Sequence, residues 1–237
     1  MRFGKNIIRF EYKMTDQLSQ QTVVLEEICL ERDLGVLVYL DLKWGHHVSK
    51  VTNTANSILA QIKNSFIYLE PTTMKLLYTS LVRPHLEYAV SVWNPYLKQD
   101  IQRIERIQRR ATKMPPQLKK LCYEDRLKKL ELTTIETKRI RGDLIQFYKI
   151  INGIDDVSWI NDPRTLNFDF SDGEPFKNLR RHKMHFYRER AGICTEREKF
   201  FLNRVIPIWN ELPSETKDAP TLNSFKARLD NLQKFSF

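Results

Sequence analysis

The sequence predicts a mainly α-helical protein with a small N-terminal β hairpin, an α+β chain whose bulk is a helical bundle. Glycine is scarce, 7 in 237 residues, which disfavours turn-rich sandwiches and barrels. Hydrophobic residues reach 41% and aromatics 11%, enough for a chain of this length to bury a core rather than stay disordered. The apolar spacing also changes along the chain, from short runs before residue 44 to recurrences at three and four after Val48.

Taken in order, residues 1–43 read as extended. Val23, Val24, Leu25 and Ile28, then Leu34-Gly35-Val36-Leu37-Val38, are two apolar runs separated by Glu31-Arg32-Asp33, which predicts two strands joined by a charged turn. Val48, Val51, Ala55, Ile58, Ile62, Phe66 and Leu69 then mark an amphipathic helix ending before Pro71. A second helical pattern runs from Met74 to Trp93, with Pro84 predicting a kink or break. A third spans Lys98 to Lys113 and stops at Pro115-Pro116. A short helix over Glu124–Leu130 precedes a longer one from Thr134 to Ile151, closed by Asn152-Gly153. Residues 154–178 lack any period and read as loop or linker. Two helices, 196–212 and 222–232, finish the chain, the second capped by Thr221. The organisation is therefore 1–43 extended, 44–153 helical, 154–195 loop or linker, and 196–237 a helical extension.

Charge is unevenly placed. The net is +10, yet residues 1–97 hold 10 basic and 9 acidic side chains and residues 150–237 hold 14 and 13. Residues 98–149 hold 15 basic against 7 acidic, so eight of the ten excess charges lie in 52 residues. A local excess of this kind is the electrostatic footprint of a polyanion-binding surface. Cys29, Cys122 and Cys194 are odd in number and lack CxxC spacing, which fits a reducing, intracellular compartment. No apolar run approaches the ~20 residues of a membrane span, so the expectation is a soluble protein with no membrane partner.

The sharpest constellation is Asp100-Ile101-Gln102-Arg103-Ile104-Glu105-Arg106-Ile107-Gln108-Arg109-Arg110-Ala111-Thr112-Lys113. At ~100° per residue, Ile101, Ile104, Ile107 and Ala111 share one side, and Arg103, Arg106, Arg109, Arg110 and Lys113 gather on the other. Guanidinium forks suit phosphate because each can bond two oxygens at once. Only Glu105 opposes the five cations, and Lys119, Lys120, Lys128 and Lys129 follow. The competing reading is a solvated outer face on a core helix. A second basic cluster, Lys177 to Arg190, contains Arg180, Arg181, His182, Lys183 and Arg188 with Phe186 and Tyr187 interleaved, where aromatics could stack bases. A surface loop is the equal alternative. His182, His185 and Cys194 fit no zinc spacing. Asp155-Asp156 follows a helix stop and reads as a pair of loop acids rather than a Mg²⁺-holding pair. None of GxxxxGK[ST], HExxH or GxSxG occurs. No catalytic residue, metal site or cofactor is assigned.

Several strings, in order, resemble the C-terminal part of the reverse transcriptase of non-LTR (LINE-type, jockey-like) retrotransposons. They are Arg32-Asp33-Leu34-Gly35-Val36-Leu37-Val38, Leu42-Lys43-Trp44 with His47, Leu81-Val82-Arg83-Pro84-His85-Leu86-Glu87-Tyr88-Ala89, Val92-Trp93-Asn94-Pro95-Tyr96 and the Ile104–Lys113 run. Arg141-Gly142-Asp143-Leu144-Ile145, Tyr148-Lys149-Ile150, Asn152-Gly153, Phe200-Phe201, Arg204-Val205, Trp209-Asn210-Glu211-Leu212-Pro213 and Ser224-Phe225-Lys226-Ala227-Arg228-Leu229 continue it. The departures are Met114-Pro115-Pro116, Thr133-Thr134 and Leu179-Arg180-Arg181-His182.

The resemblance implies that 1–43 corresponds to the end of a palm, 44–153 to a thumb that tracks a template–primer duplex, and 196–237 to a C-terminal helical extension. It also implies that the palm aspartates and their Mg²⁺, with fingers and endonuclease, belong upstream of Met1. The expectation is a fragment of an RNA-directed DNA polymerase that binds RNA, DNA or an RNA–DNA hybrid and does not itself polymerise, with the missing fingers and palm as possible partners. Readings of other kinds are a helical interaction module whose basic face meets an acidic protein, and a decayed copy of such an element.

Overall fold

The extended start of the chain forms two hairpins rather than one. The computed structural model describes residues 10–16, 20–157, 184–189, 192 and 194–232. Strand β1 (Lys13–Thr15) pairs antiparallel with β2 (Thr22–Val24), and β3 (Leu30–Asp33) pairs antiparallel with β4 (Val36–Tyr39). Glu31-Arg32-Asp33, expected as the turn, is instead the body of β3, in register with Val38, Leu37 and Val36. The turn is Leu34-Gly35, with φ of 42° and 89°. Left-handed backbone at both central residues matches the twist of the flanking strands. Strand β3 is exposed along its length, so its charges meet water, and only Val36 of β4 is buried. The Tyr88 hydroxyl donates to Leu34 O at 2.9 Å and fixes the turn against the helices.

The helical region begins with α1 (Gly45–Ser65), which buries Val48, Val51, Ala55 and Ile62 as expected from their spacing, with Leu59 buried and Ile58 only partly so; the helix ends before Phe66, which is exposed, and Leu69. Pro71 stops nothing; it is the first residue of α2 (Pro71–Leu77), where its missing N–H is no loss. Pro84 is accommodated by one π-helical turn, Tyr78–Val82, in which the Arg83 N–H reaches back to Tyr78 O. Widening the helix re-pairs the backbone around a residue that cannot donate. Helix α3 (Arg83–Glu87) therefore continues through the proline. The break comes at Ala89, left-handed at φ 52°, before α4 (Val90–Trp93).

Helix α5 (Lys98–Thr112) and α6 (Tyr123–Leu130) follow, the latter with the Cys122 sulfur accepting from Asp125 N–H. Helix α7 (Ile135–Ile151) is capped by the Thr134 hydroxyl, which accepts from Thr137 N–H, and ends at Asn152 and left-handed Gly153, as expected. The helix expected over 196–212 is divided at Lys199-Phe200 into α8 (Thr195–Glu198) and α9 (Phe201–Glu211). A short α10 (Ser214–Lys217) precedes α11 (Leu222–Asn231), whose cap is Thr221.

Two apolar clusters divide the molecule. The first joins Val36 with α1 to α5 and takes in Ile135; the second gathers Leu144, Phe147, Tyr148 and Ile150 with Phe186, α9 and α11. The change of core falls inside α7, which serves both. At that point Arg204 of α9 meets Asp143 of α7 through two bonds, Nε to Oδ2 at 2.9 Å and Nη2 to Oδ1 at 3.1 Å. The same guanidinium donates to Ser91 O of α4 at 2.7 Å. Asn94 Nδ2 also donates to Asp143, at 3.3 Å.

His47 joins the hairpin to the first core. Its Nδ1 accepts from Leu37 N–H at 3.1 Å, and its ring stands edge-on to Trp93 with centroids 4.5 Å apart. Burial first, then the charges of Lys50 and Arg139, hold its pKa down to about 4 from 6.5. The unfolded chain takes up this proton below pH 6.5 and the folded chain does not until pH falls to about 4. The stability it contributes is therefore complete above 6.5 and lost on the way down to 4. Urea unfolding between pH 7 and 5 should show a loss of about 2 kcal/mol from this group. His47→Gln keeps an acceptor for Leu37 and should flatten that dependence; an unchanged slope in the variant would contradict the assignment.

Candidate nucleic-acid interface

Helices α1 and α5 lie side by side and run parallel, and their cross-contacts keep nearly one register. Ser49 meets Arg103 and Asn56 meets Arg110, both 54 residues apart. Beyond the helix ends, Tyr68 meets Gln117. Between the helices, Ala55, Ile104, Ile107 and Ala111 are buried together, as the apolar stripe of α5 predicts; Ile101 at its start is only half-buried. Above that seam an open groove of about 490 Å³ is lined by Ser49, Thr52, Asn53 and Asn56 of α1 and by Arg103, Arg106, Ile107 and Arg110 of α5.

Among the described residues, no carboxylate lines the groove. Helix α1 has no Asp or Glu in its 21 residues. Glu105, which the sequence sets against the cations, turns the other way: it accepts from the Tyr123 hydroxyl and, at 3.1 Å, from Ile135 N–H. Asp100, outside the groove's lining, is buried 3.7 Å from Arg103 Nη1; burial raises its pKa and the Arg103 charge partly opposes that. The opposing carboxylate is thus Asp100, beside Arg103, rather than Glu105, and Arg106 and Arg110 have no carboxylate partner among the described residues.

The five cations do not act as one face. Arg103, Arg106 and Arg110 share the groove, whereas Arg109 lies with its guanidinium carbon 4.2 Å from the centre of the Tyr123 ring, against α6. The helix angle explains the split, since Arg109 stands about 120° round the axis from Arg103. Gln108, next to it, is fully buried and bonded to Tyr78, Tyr123 and Thr133. Lys113 is exposed at the end of α5, and Lys119 and Lys120 are exposed just past the 3₁₀ turn Pro116–Leu118.

The second basic cluster is only partly within the described residues, because Arg180, Arg181, His182 and Lys183 lie outside them. Where it is described it is built differently from expectation. Phe186 is a core residue, edge-on to Phe147 at 5.3 Å and 6% exposed, so its ring is not available to stack a base. Asn210 clamps it there, accepting from Phe186 N–H and donating to Phe186 O. Arg188 pairs with Glu198 at 3.6 Å. Tyr187 is exposed. Asp155, in the turn after α7, accepts from Gln146 Nε2 at 2.8 Å and lies 3.4 Å from Lys149 Nζ, engaged with the helix it follows. Among the described residues, no helix is long and apolar enough to cross a membrane.

The α1 wall is the part of this surface that sequence reasoning missed. Serine, threonine and asparagine carry no charge signal, and only the absence of acids from Leu42 to Leu69 hints at it.

No family model matches the chain, and no solved structure matches it. It is similar to an uncharacterized protein of Caenorhabditis elegans, 27% identical over 124 residues, which is 51% of this chain and 63% of that relative. The chain thus spans under two thirds of the length of the relative it matches.

The split among the arginines has a measurable consequence. Arg103→Gln, Arg106→Gln and Arg110→Gln together remove exposed guanidiniums, with the solvent-edge contacts of Arg103 to Ser49 and Asp100 and of Arg110 to Asn56, and keep good helix formers, so the unfolding free energy should move by less than about 0.5 kcal/mol per position. Arg109→Gln removes a guanidinium from an aromatic face and should cost about 0.5–1 kcal/mol. Urea melts of the two variants would settle it; the opposite order per position would show that the groove arginines are structural.

Proposed function

We propose that this chain grips nucleic acid by its sugar–phosphate backbone through the groove between α1 and α5. The observation that carries the reading is the groove's lining: three guanidiniums and four hydroxyl or amide side chains, with no carboxylate among the described residues. It lies where the chain holds its charge excess, 15 basic against 7 acidic residues over 98–149. Arg103 to Arg110 rises about 10 Å along the helix. At about 3.4 Å of rise per nucleotide that matches a run of roughly three. Such contacts position a backbone and carry no base information.

The resemblance to non-LTR reverse transcriptases gives this activity a context. In that reading the chain is the end of a palm, a thumb and a helical extension of an RNA-directed DNA polymerase, and its ligand is RNA or an RNA–DNA hybrid. The strings that carry the resemblance contain many of the residues that hold the fold together, including Trp93, Asn94, Asp143, Arg204, Trp209 and Phe225. In that reading the chain binds and does not itself polymerise, because the resemblance assigns to the palm the carboxylates that nucleotidyl transfer gathers around two metal ions. The exposed apolar residues of the first hairpin, among them Met14, Val23 and Val24, are where the palm and fingers of a longer polymerase would pack.

The test is a salt titration of binding to oligo(U) RNA and to an RNA–DNA hybrid of unrelated sequence. Wild type should bind both with a steep negative slope of log K against log salt. The triple groove variant should flatten that slope by about 0.7 to 0.9 for each phosphate it no longer engages, alike for both ligands. A variant that folds and keeps the wild-type slope would make this face merely solvated. Binding only to an acidic protein, with no salt-dependent nucleic-acid affinity, would favour the interaction-module reading instead.

A further inference from the structure

Helix α1 offers the groove Ser49, Thr52, Asn53 and Asn56, the i, i+3, i+4, i+7 spacing of one helix face. Thr52 is buried and its hydroxyl is spent on Val48 O at 2.7 Å, so it belongs to the helix. Ser49 and Asn56 are committed across the seam. Ser49 Oγ accepts from Arg103 Nη1 at 3.3 Å, and Asn56 Oδ1 accepts from Arg110 Nη1 at 3.0 Å. The direction is fixed by chemistry, because a guanidinium can only donate. An arginine on an open helix face samples many rotamers. One with a single nitrogen held keeps its other donors aimed, which lowers the ordering cost on binding. Arg106, between the two held arginines, is exposed and makes no side-chain bond among the described residues; Asn53, which shares the groove with it, is likewise exposed and unbonded.

We infer that α1 is the second wall of the nucleic-acid site: Ser49 and Asn56 are positioning residues that hold Arg103 and Arg110 for phosphate, and Asn53 is a neutral direct contact to the sugar–phosphate. This rests on the nucleic-acid reading above and adds residues that charge alone does not reveal. Neutral residues release no counterions, so they differ from the arginines in one observable. Their removal lowers affinity at every salt concentration and leaves the salt slope in place.

The experiment is a double-mutant cycle on the full chain, read by fluorescence anisotropy of labelled oligo(U). Asn56→Ala should weaken binding by about three- to tenfold with the wild-type slope, and should cost nothing further in an Arg110→Gln background. Ser49→Ala should behave the same way towards Arg103→Gln. Asn53→Ala should weaken binding in either background. Asn56→Asp, an exposed-edge change that keeps an acceptor, should pair Arg110 and flatten the slope by about 0.7 to 0.9, the equivalent of one phosphate released. If wild type binds and Asn56→Ala costs the same with or without Arg110, or costs nothing, the positioning role is overturned while the nucleic-acid reading stands. If wild type binds neither oligo(U) nor hybrid, that reading falls, and this inference with it.

Discussion

The packing of α1 along α5 is the contact on which the core and the candidate site both depend. Two parallel helices cannot be joined by a tight turn, so the chain must travel back along their length between them. Helices α2, α3 and α4 make that return, and the π turn at Tyr78–Val82 lets them do so with Pro84 inside the helix. Ala55 and Ala111 are both fully buried at the seam, where small side chains let helix axes come close. Close axes leave a shallow channel on the outside, and side chains of both helices are thrown into it. The groove is therefore a consequence of the core. A bulky residue at Ala55 or Ala111 would change the width of the channel as well as the stability.

The junction at Arg204 and Asp143 makes one body of two cores. The carboxylate is 5% exposed and the guanidinium 14%, so both charges are largely removed from water. Such a pair is a weak source of net stability, because desolvation offsets most of the attraction. Its effect is on geometry: a fork with fixed directions contacts α7 and α4 at once, which an apolar contact would not specify. Tyr148, stacked on Phe225 at 4.4 Å and donating to Ala219 O, then anchors α11 on the far side of α7. Through these contacts the C-terminal helices brace α7, and α7 braces the inner side of α5 through Glu105 and Ile135.

How much of this is legible in the sequence varies with the kind of signal. Helices with a strong apolar period, α5, α7 and α11, fall close to their expected bounds, α1 ends at Ser65, short of the expected Phe66 and Leu69, and the Thr221 and Gly153 signals mark real ends. The hairpin turn is displaced from its expected position because Glu31-Arg32-Asp33 has turn-like composition, while in an exposed strand charge is tolerated and backbone φ decides. Phe186 is misleading in sequence because aromatics among cations look like a stacking platform. Its burial depends on Phe147 and Trp209, distant in sequence. The basic helix is legible, and its angles already set Arg109 apart from Arg103; what the sequence does not show is the Tyr123 ring of another helix against which Arg109 lies. The α1 wall is least legible of all, because hydroxyls and amides gain a meaning only when a neighbouring helix brings arginines to them.

Nucleic acid bound between α1 and α5 must leave its imprint on both helices. The direct measurement is a titration of isotope-labelled protein with oligo(U) RNA followed by NMR. Backbone and side-chain resonances of Ser49, Asn53, Asn56, Arg103, Arg106 and Arg110 should shift first and furthest. The indole N–H of Trp209 and the amide of Asn210, in the second core, should stay in place. Shifts centred on α9 and α11, or an α5 response with none on α1, would contradict a two-walled site.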